Sequence, residues 1–125
     1  MVDLRKIVAC MKPISGPRKK LLLDISTGKI LTGTQYKKMK PLNCIEIPKY
    51  DSKEMDKIYL EQLNDETFSN PLLNHYEHPN FRNFVHIAVN DKGLYNDYSH
   101  FIFELEKKIA RKWCDENGIM YIVDD

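Results

Sequence analysis

The chain has little net charge, few cysteines and no long apolar run, and each scarcity excludes something. With 19 Lys/Arg against 18 Asp/Glu, the formal charge is +1, so the whole molecule carries no long-range field of one sign. The three cysteines, Cys10, Cys44 and Cys114, are odd in number, and no C-x-x-C occurs. They are therefore expected to be reduced, mostly buried small apolar residues, not a disulfide framework or a zinc set. No segment approaches the roughly eighteen apolar residues of a membrane helix. Asp3, Arg5 and Lys6 argue against a signal peptide. Also missing are G-x-S-x-G, a P-loop, G-x-G-x-x-G and H-E-x-x-H, and with them the usual hydrolase, nucleotide and zinc-protease signatures. There is no repeat, low-complexity tract or linker.

What is present is ordinary for a folded protein. The 125 residues, 42% hydrophobic and 30% charged, can build one domain, 1–125, with a core that needs no staple. Charge is unevenly placed. Residues 1–50 hold 11 Lys/Arg against 3 Asp/Glu, a net of +8, while residues 51–125 hold 8 against 15, a net of −7. Such asymmetry permits a basic face for phosphate or an acidic partner; the blander alternative is mutual neutralisation on solvated faces.

Asp3 can cap a short helix whose stripe is Leu4, Ile7, Val8 and Met11, stopped by Pro13, Gly16 and Pro17. A hairpin follows over 20–32, turning through Ser26-Thr27-Gly28-Lys29. A strand is expected over 44–47, closed by Pro48. Asp51 or Ser52 can cap the next helix, with Met55, Ile58, Tyr59 and Leu63 as its stripe. A short helix is expected over 65–76; Pro71 also permits a start at Asn70. Another covers 80–89, capped by His78 or Asn80. The longest covers 94–117, with Leu94, Tyr98, Phe101, Ile102, Leu105, Ile109 and Trp113 on one face and Asn117-Gly118 as its stop. Residues 119–123 can add a strand to the hairpin's sheet. The expected fold is α+β: a small antiparallel sheet packed with four or five helices.

Several constellations admit a functional reading. Phe81, Phe84, Tyr98, Phe101 and Trp113 could stack bases, but burying large rings is sufficient reason for their spacing, and they are read as core. Arg82, between two such rings, is expected to face outward or reach an acid of the 51–66 segment; the sharper reading is anion recognition. His75-x-x-His78 has ligand-like spacing without a completing set, although Cys44 and Cys114 could join after folding; no metal or cofactor is expected. Cys114 and His100 cannot work as a catalytic pair on one continuous helix, because 14 residues separate them by about 21 Å. The best binding feature is basic: Arg18, Lys19 and Lys20, with Lys37, Lys38 and Lys40. Lysines without interleaved aromatics contact phosphates or acidic proteins without sequence preference.

The order of certain motifs is familiar. Phe81-Arg82-Asn83-Phe84, Tyr98-Ser99-His100-Phe101 and Ala110-Arg111-Lys112-Trp113 are followed by Asn117-Gly118-Ile119, and Leu23 to Ile30 and Ile45-Glu46-Ile47-Pro48 precede them. This pattern resembles a small bacterial family of uncharacterised proteins (UPF type) with F-R-R-F-K-D, W-x-x-F and A-R-x-W motifs. The resemblance covers most of 21–119; Asn83, Val85 and His86 depart from it. It implies a fold and carries no activity.

The expected role is a small cytoplasmic binding or regulatory module without a catalytic centre. Its basic N-terminal half would meet an acidic protein or nucleic acid, with no membrane contact. The competing expectations are a small enzyme centred on His86 and Arg82, and a self-associating structural protein whose opposite-signed halves pair in a homodimer.

Overall fold

The computed structural model describes residues 1–12, 20–39 and 42–122. Among them are six helices and five short strands, an α+β fold. The chain divides into two compact units, residues 1–50 with 107–125, and residues 51–106.

The first unit opens with β1 (Val2–Asp3) and α1 (Leu4–Met11). Asp3 caps α1 by accepting the Arg5 N–H at 2.9 Å, and Leu4, Ile7, Val8 and Met11 are all buried. The expected stripe is the core face of this helix. Pro13, Gly16 and Pro17, expected to stop it, lie outside the described residues.

The hairpin joins β2 (Leu21–Asp24) to β3 (Ile30–Thr32), with Leu22 opposite Leu31. In its turn Asp24 Oδ1 accepts from Ser26 N–H at 3.0 Å, and Gly28 takes φ 75°, a conformation that other residues adopt at a cost. β4 (Cys44–Glu46) pairs antiparallel with β2, so the strand order is β3-β2-β4. Between β3 and β4 lies a helix absent from the sequence expectation, α2 (Gly33–Met39). Thr32 Oγ1 accepts from Gln35 N–H at 3.2 Å, and Gln35 Oε1 accepts from Thr32 N–H at 2.9 Å. This reciprocal capping box starts a helix that has no buried residue.

The closing strand is a correction. β5 (Tyr121–Ile122) pairs in parallel with β1 and does not join the hairpin's sheet; Val123 lies outside the described residues. Two residues at either end of the chain meet through pairing that no local pattern records.

The second unit is helical: α3 (Ser52–Gln62), α4 (Glu66–Leu73), α5 (Phe81–Asp91) and the first half of α6 (Tyr95–Glu116), whose residues from 107 belong to the first unit. Asp51 caps α3 through Glu54 N–H at 3.2 Å, and Asp65 caps α4 through Phe68 N–H at 3.2 Å. Asn64, at φ 55°, reverses the chain between them, a conformation asparagine tolerates. α4 therefore starts ahead of Pro71 and ends at Leu73, short of the expected 76. Asn80 makes no side-chain cap on α5; instead His78 Nδ1 accepts from Asn80 N–H at 3.0 Å. The core gathers Tyr59, Leu60, Phe81, Val85, Val89 and Tyr98, with Leu63, Phe68, Leu72 and Phe101 packed around them.

Candidate functional site

In α3 the buried face is Met55, Asp56, Tyr59 and Leu60, while Ile58 is 37% exposed. The expected stripe is thus rotated, and a carboxylate replaces isoleucine in the interior. Asp56 is 1% exposed and both of its oxygens are occupied. Oδ2 accepts from Arg82 Nε–H at 3.1 Å, and Oδ1 accepts a very short hydrogen bond from the Tyr98 hydroxyl. Burying a charge is costly unless it is paired and hydrogen-bonded, and here it is both.

α5 supplies the outer half of the cluster. Phe81, Val85 and Val89 form its buried stripe, so Arg82 and His86, each one position later, sit side by side at the edge of that face. Their side chains are 46% and 44% exposed. His86 Nε2 lies 3.3 Å from Arg82 Nη2, 3.1 Å from the Tyr98 hydroxyl and 4.0 Å from Asp56 Oδ2. On α6, Tyr98 packs edge-on against Tyr59, with ring centres 5.1 Å apart, and Tyr59 donates to Asp97 at 2.9 Å.

These neighbours shift the acidities. Burial, then the hydrogen bond and charge of Asp56, push the Tyr98 phenol well above its ordinary range, against an opposing pull from Arg82. Burial and then Asp97 do the same to Tyr59. Burial disfavours the Arg82 charge, yet the Asp56 carboxylate and its hydrogen bond hold the guanidinium above its usual value overall.

The five aromatics expected in the core divide. Phe81 and Tyr98 are buried, whereas Phe84, Phe101 and Trp113 are half-buried. Phe84 lines a shallow cleft with Pro71, Leu72, His75 and His78. The His75 and His78 rings stand edge-on with centres 6.4 Å apart, and His78 Nδ1 is already hydrogen-bonded. Among the described residues no group of three or more His, Cys, Asp or Glu side chains could hold a metal ion. Of the cysteines only Cys114 is buried; Cys10 and Cys44 are half-buried, which corrects the expectation of mostly buried thiols, and all three are free.

The expected basic residues belong to the first unit. Lys20, just before β2, and Lys37 and Lys38 on α2 are exposed, beside the exposed Tyr36 and Met39. Arg18, Lys19 and Lys40 lie outside the described residues. Arg82 belongs to the other unit. Counted by unit, the sequence holds 15 Lys/Arg against 7 Asp/Glu in the first, a net of +8, and 4 against 11 in the second, a net of −7. Sequence reasoning placed a partner for Arg82 among the acids of the 51–66 segment without singling out Asp56, and it missed Tyr98 as a polar partner. The available signal was an aspartate adjacent to Met55 and three positions before Tyr59, on a helix face otherwise apolar.

The fold and these two features define an α+β protein with a basic mixed unit and an acidic helical unit. No family model, curated protein or solved structure matches the chain. Among the described residues no helix is long and apolar enough to cross a membrane.

Proposed function

We propose that the protein is a small cytoplasmic binding module whose basic unit meets an anionic macromolecule, an acidic protein or a nucleic acid, and that it is a divergent bacterial member of the uncharacterised family its motifs resemble. The observation that carries the binding role is the coincidence of charge with architecture: the +8 and −7 totals follow the division of the fold. Lys20, Lys37 and Lys38 stand exposed on the positive unit, and α2 buries none of its residues, so its side chains are free to make contacts. Exposed lysines of this kind act through Coulomb attraction and counterion release, without base readout.

An enzyme centred on His86 and Arg82 is the weaker reading. The carboxylate beside them has both oxygens occupied, and the Tyr98 phenol is driven away from neutral pH, where a general acid or base works best.

The test is fluorescence anisotropy with a labelled single-stranded oligonucleotide and, separately, a labelled polyglutamate peptide. Binding should weaken steeply with salt, and the triple change Lys20→Glu, Lys37→Glu and Lys38→Glu should reduce affinity by about tenfold or more. Affinity that ignores salt, or survives the triple change, rules the proposal out.

A further inference from the structure

Four large apolar side chains that the fold leaves in water are carried by segments that meet at one place, the β2–β3 turn. Ile25 is part of the turn, and its N–H donates to Asn43 O at 3.0 Å, which brings the preceding Leu42 to the turn. Asn43 also donates from Nδ2 to Ser26 Oγ at 2.9 Å. At the same turn, a Cβ placed on Gly28 would stand 3.7 Å from Met1 O and 3.8 Å from Val2 Cγ2. Val2 N–H in turn donates to Met120 O at 3.0 Å. Leu42 is 98% exposed, Met1 79%, Met120 71% and Ile25 39%. Apolar side chains scattered singly over a surface need no explanation, but four around one turn do. All four belong to the basic unit.

Charge narrows what can cover them. Lys29 is exposed in the same turn, and Lys37 and Lys38 precede the exposed Met39 at the end of α2, three positions before Leu42. The described acids at hand are engaged: Asp24 accepts the Ser26 N–H at 3.0 Å, and Asp3 caps α1. Asp124 and Asp125 lie outside the described residues. A second copy apposed through the same patch would set +8 against +8, which opposes self-pairing. A nucleic-acid backbone would meet the lysines and leave the apolar side chains in water. An anionic bilayer answers both features, because it carries negative headgroups over hydrocarbon.

We propose that this end of the basic unit docks on an anionic lipid surface. Met1, Ile25, Leu42 and Met120 enter the boundary between headgroups and acyl chains, and Lys29, Lys37 and Lys38 meet the headgroup charge. No spanning helix is required for contact of this depth. Sequence reasoning expected no membrane contact, because side chains at positions 1, 25, 42 and 120 share no period. Here the apolar side chains carry the contact, where the binding role above rests on lysines alone, so either can fail without the other.

The experiment is co-sedimentation of the full chain with phosphatidylcholine vesicles, with and without phosphatidylglycerol at about 25%. Saturable binding to the anionic vesicles is expected, with affinity at least about tenfold weaker for phosphatidylcholine alone. The double change Leu42→Ser and Met120→Ser touches only exposed side chains, so the circular dichroism spectrum and any oligonucleotide binding should be unchanged. Binding to anionic vesicles should nevertheless weaken about tenfold or more. Leu42→Ser alone repeats the measurement should the double change disturb the fold. No pelleting with anionic vesicles up to about 2 mM lipid overturns the proposal. Equal binding to neutral vesicles overturns it too, as does binding that a folded variant leaves intact, which would mark lysine attraction alone. A labelled acidic peptide containing leucine is titrated in parallel, and binding of that peptide without binding of vesicles assigns the patch to an acidic protein instead.

Discussion

Tyr98 donates its hydroxyl proton to Asp56 across 42 positions of sequence, and the receiving carboxylate is 1% exposed. That bond joins α6 to α3, and the Arg82 Nε–H on the other carboxylate oxygen joins α5 to the same point. Three helices of the acidic unit therefore meet on one buried charge.

Tyr98→Phe should keep the edge-on packing against Tyr59 but leave Asp56 Oδ1 without its donor. A destabilisation of about 1–3 kcal/mol is expected, the usual cost of an unsatisfied buried polar group. Urea midpoints of the parent and the variant measure it. A midpoint unchanged within error would mean that water or another group satisfies the carboxylate.

Alkaline pH should loosen the same unit, an effect that tyrosines with unshifted phenols would not produce. The Tyr59 and Tyr98 phenols are raised chiefly by burial, and that of Tyr76 is pushed up to about 12, mainly by its 2.8 Å hydrogen bond to Glu54. A group whose folded value exceeds its unfolded value contributes stability that is fully present below the unfolded value, about 10 for tyrosine, and lost as pH rises through the folded value. Stability should accordingly fall from about pH 10 upward. Ultraviolet titration should show part of the seven tyrosines resisting ionisation until the protein unfolds. A single step for all seven near the ordinary phenol value would contradict these environments.

Thr32→Ala should unravel α2 selectively. It removes the oxygen that accepts the Gln35 N–H, and loss of such a cap costs about 0.5–2 kcal/mol. Because α2 buries nothing, the effect should be local: faster amide exchange in residues 33–39 with slow exchange retained in α1. Equal acceleration in α1 would show that α2 is coupled to the core.

The thiols should sort by environment. Cys114 is buried, and burial followed by the nearby Asp115 charge lifts its thiol to about 11. Iodoacetamide at mildly alkaline pH should modify the half-buried Cys10 and Cys44 in the native protein and reach Cys114 only after denaturation. Mass spectrometry of the labelled peptides reads the order directly, and early labelling of Cys114 would refute its burial.

Elements governed by neighbours in the chain could be read before the structure. α1 follows from Asp3 and a stripe at helical spacing, and the β2–β3 hairpin from its turn residues, because caps, turns and amphipathic periods are interactions over a few positions. α2 was legible in principle from Thr32 and Gln35, the two partners of its capping box, but its lack of an apolar stripe hid it. An acid from the 51–66 segment was expected as one partner for Arg82, and Asp56 belongs to it.

What composition and local pattern could establish was the α+β class, the element types and the opposite charges of the two portions of chain. Folding alone decided the rest: that β5 pairs with β1, that α3 turns Asp56 inward in place of Ile58, and that Arg82, His86 and Tyr98 meet around it. The reason is geometric. A one-residue difference in helix facing rotates a side chain by about 100°, and no periodicity shared by apolar and polar candidates can settle it. Only the simultaneous packing of three helices selects the arrangement in which a buried charge finds both of its donors.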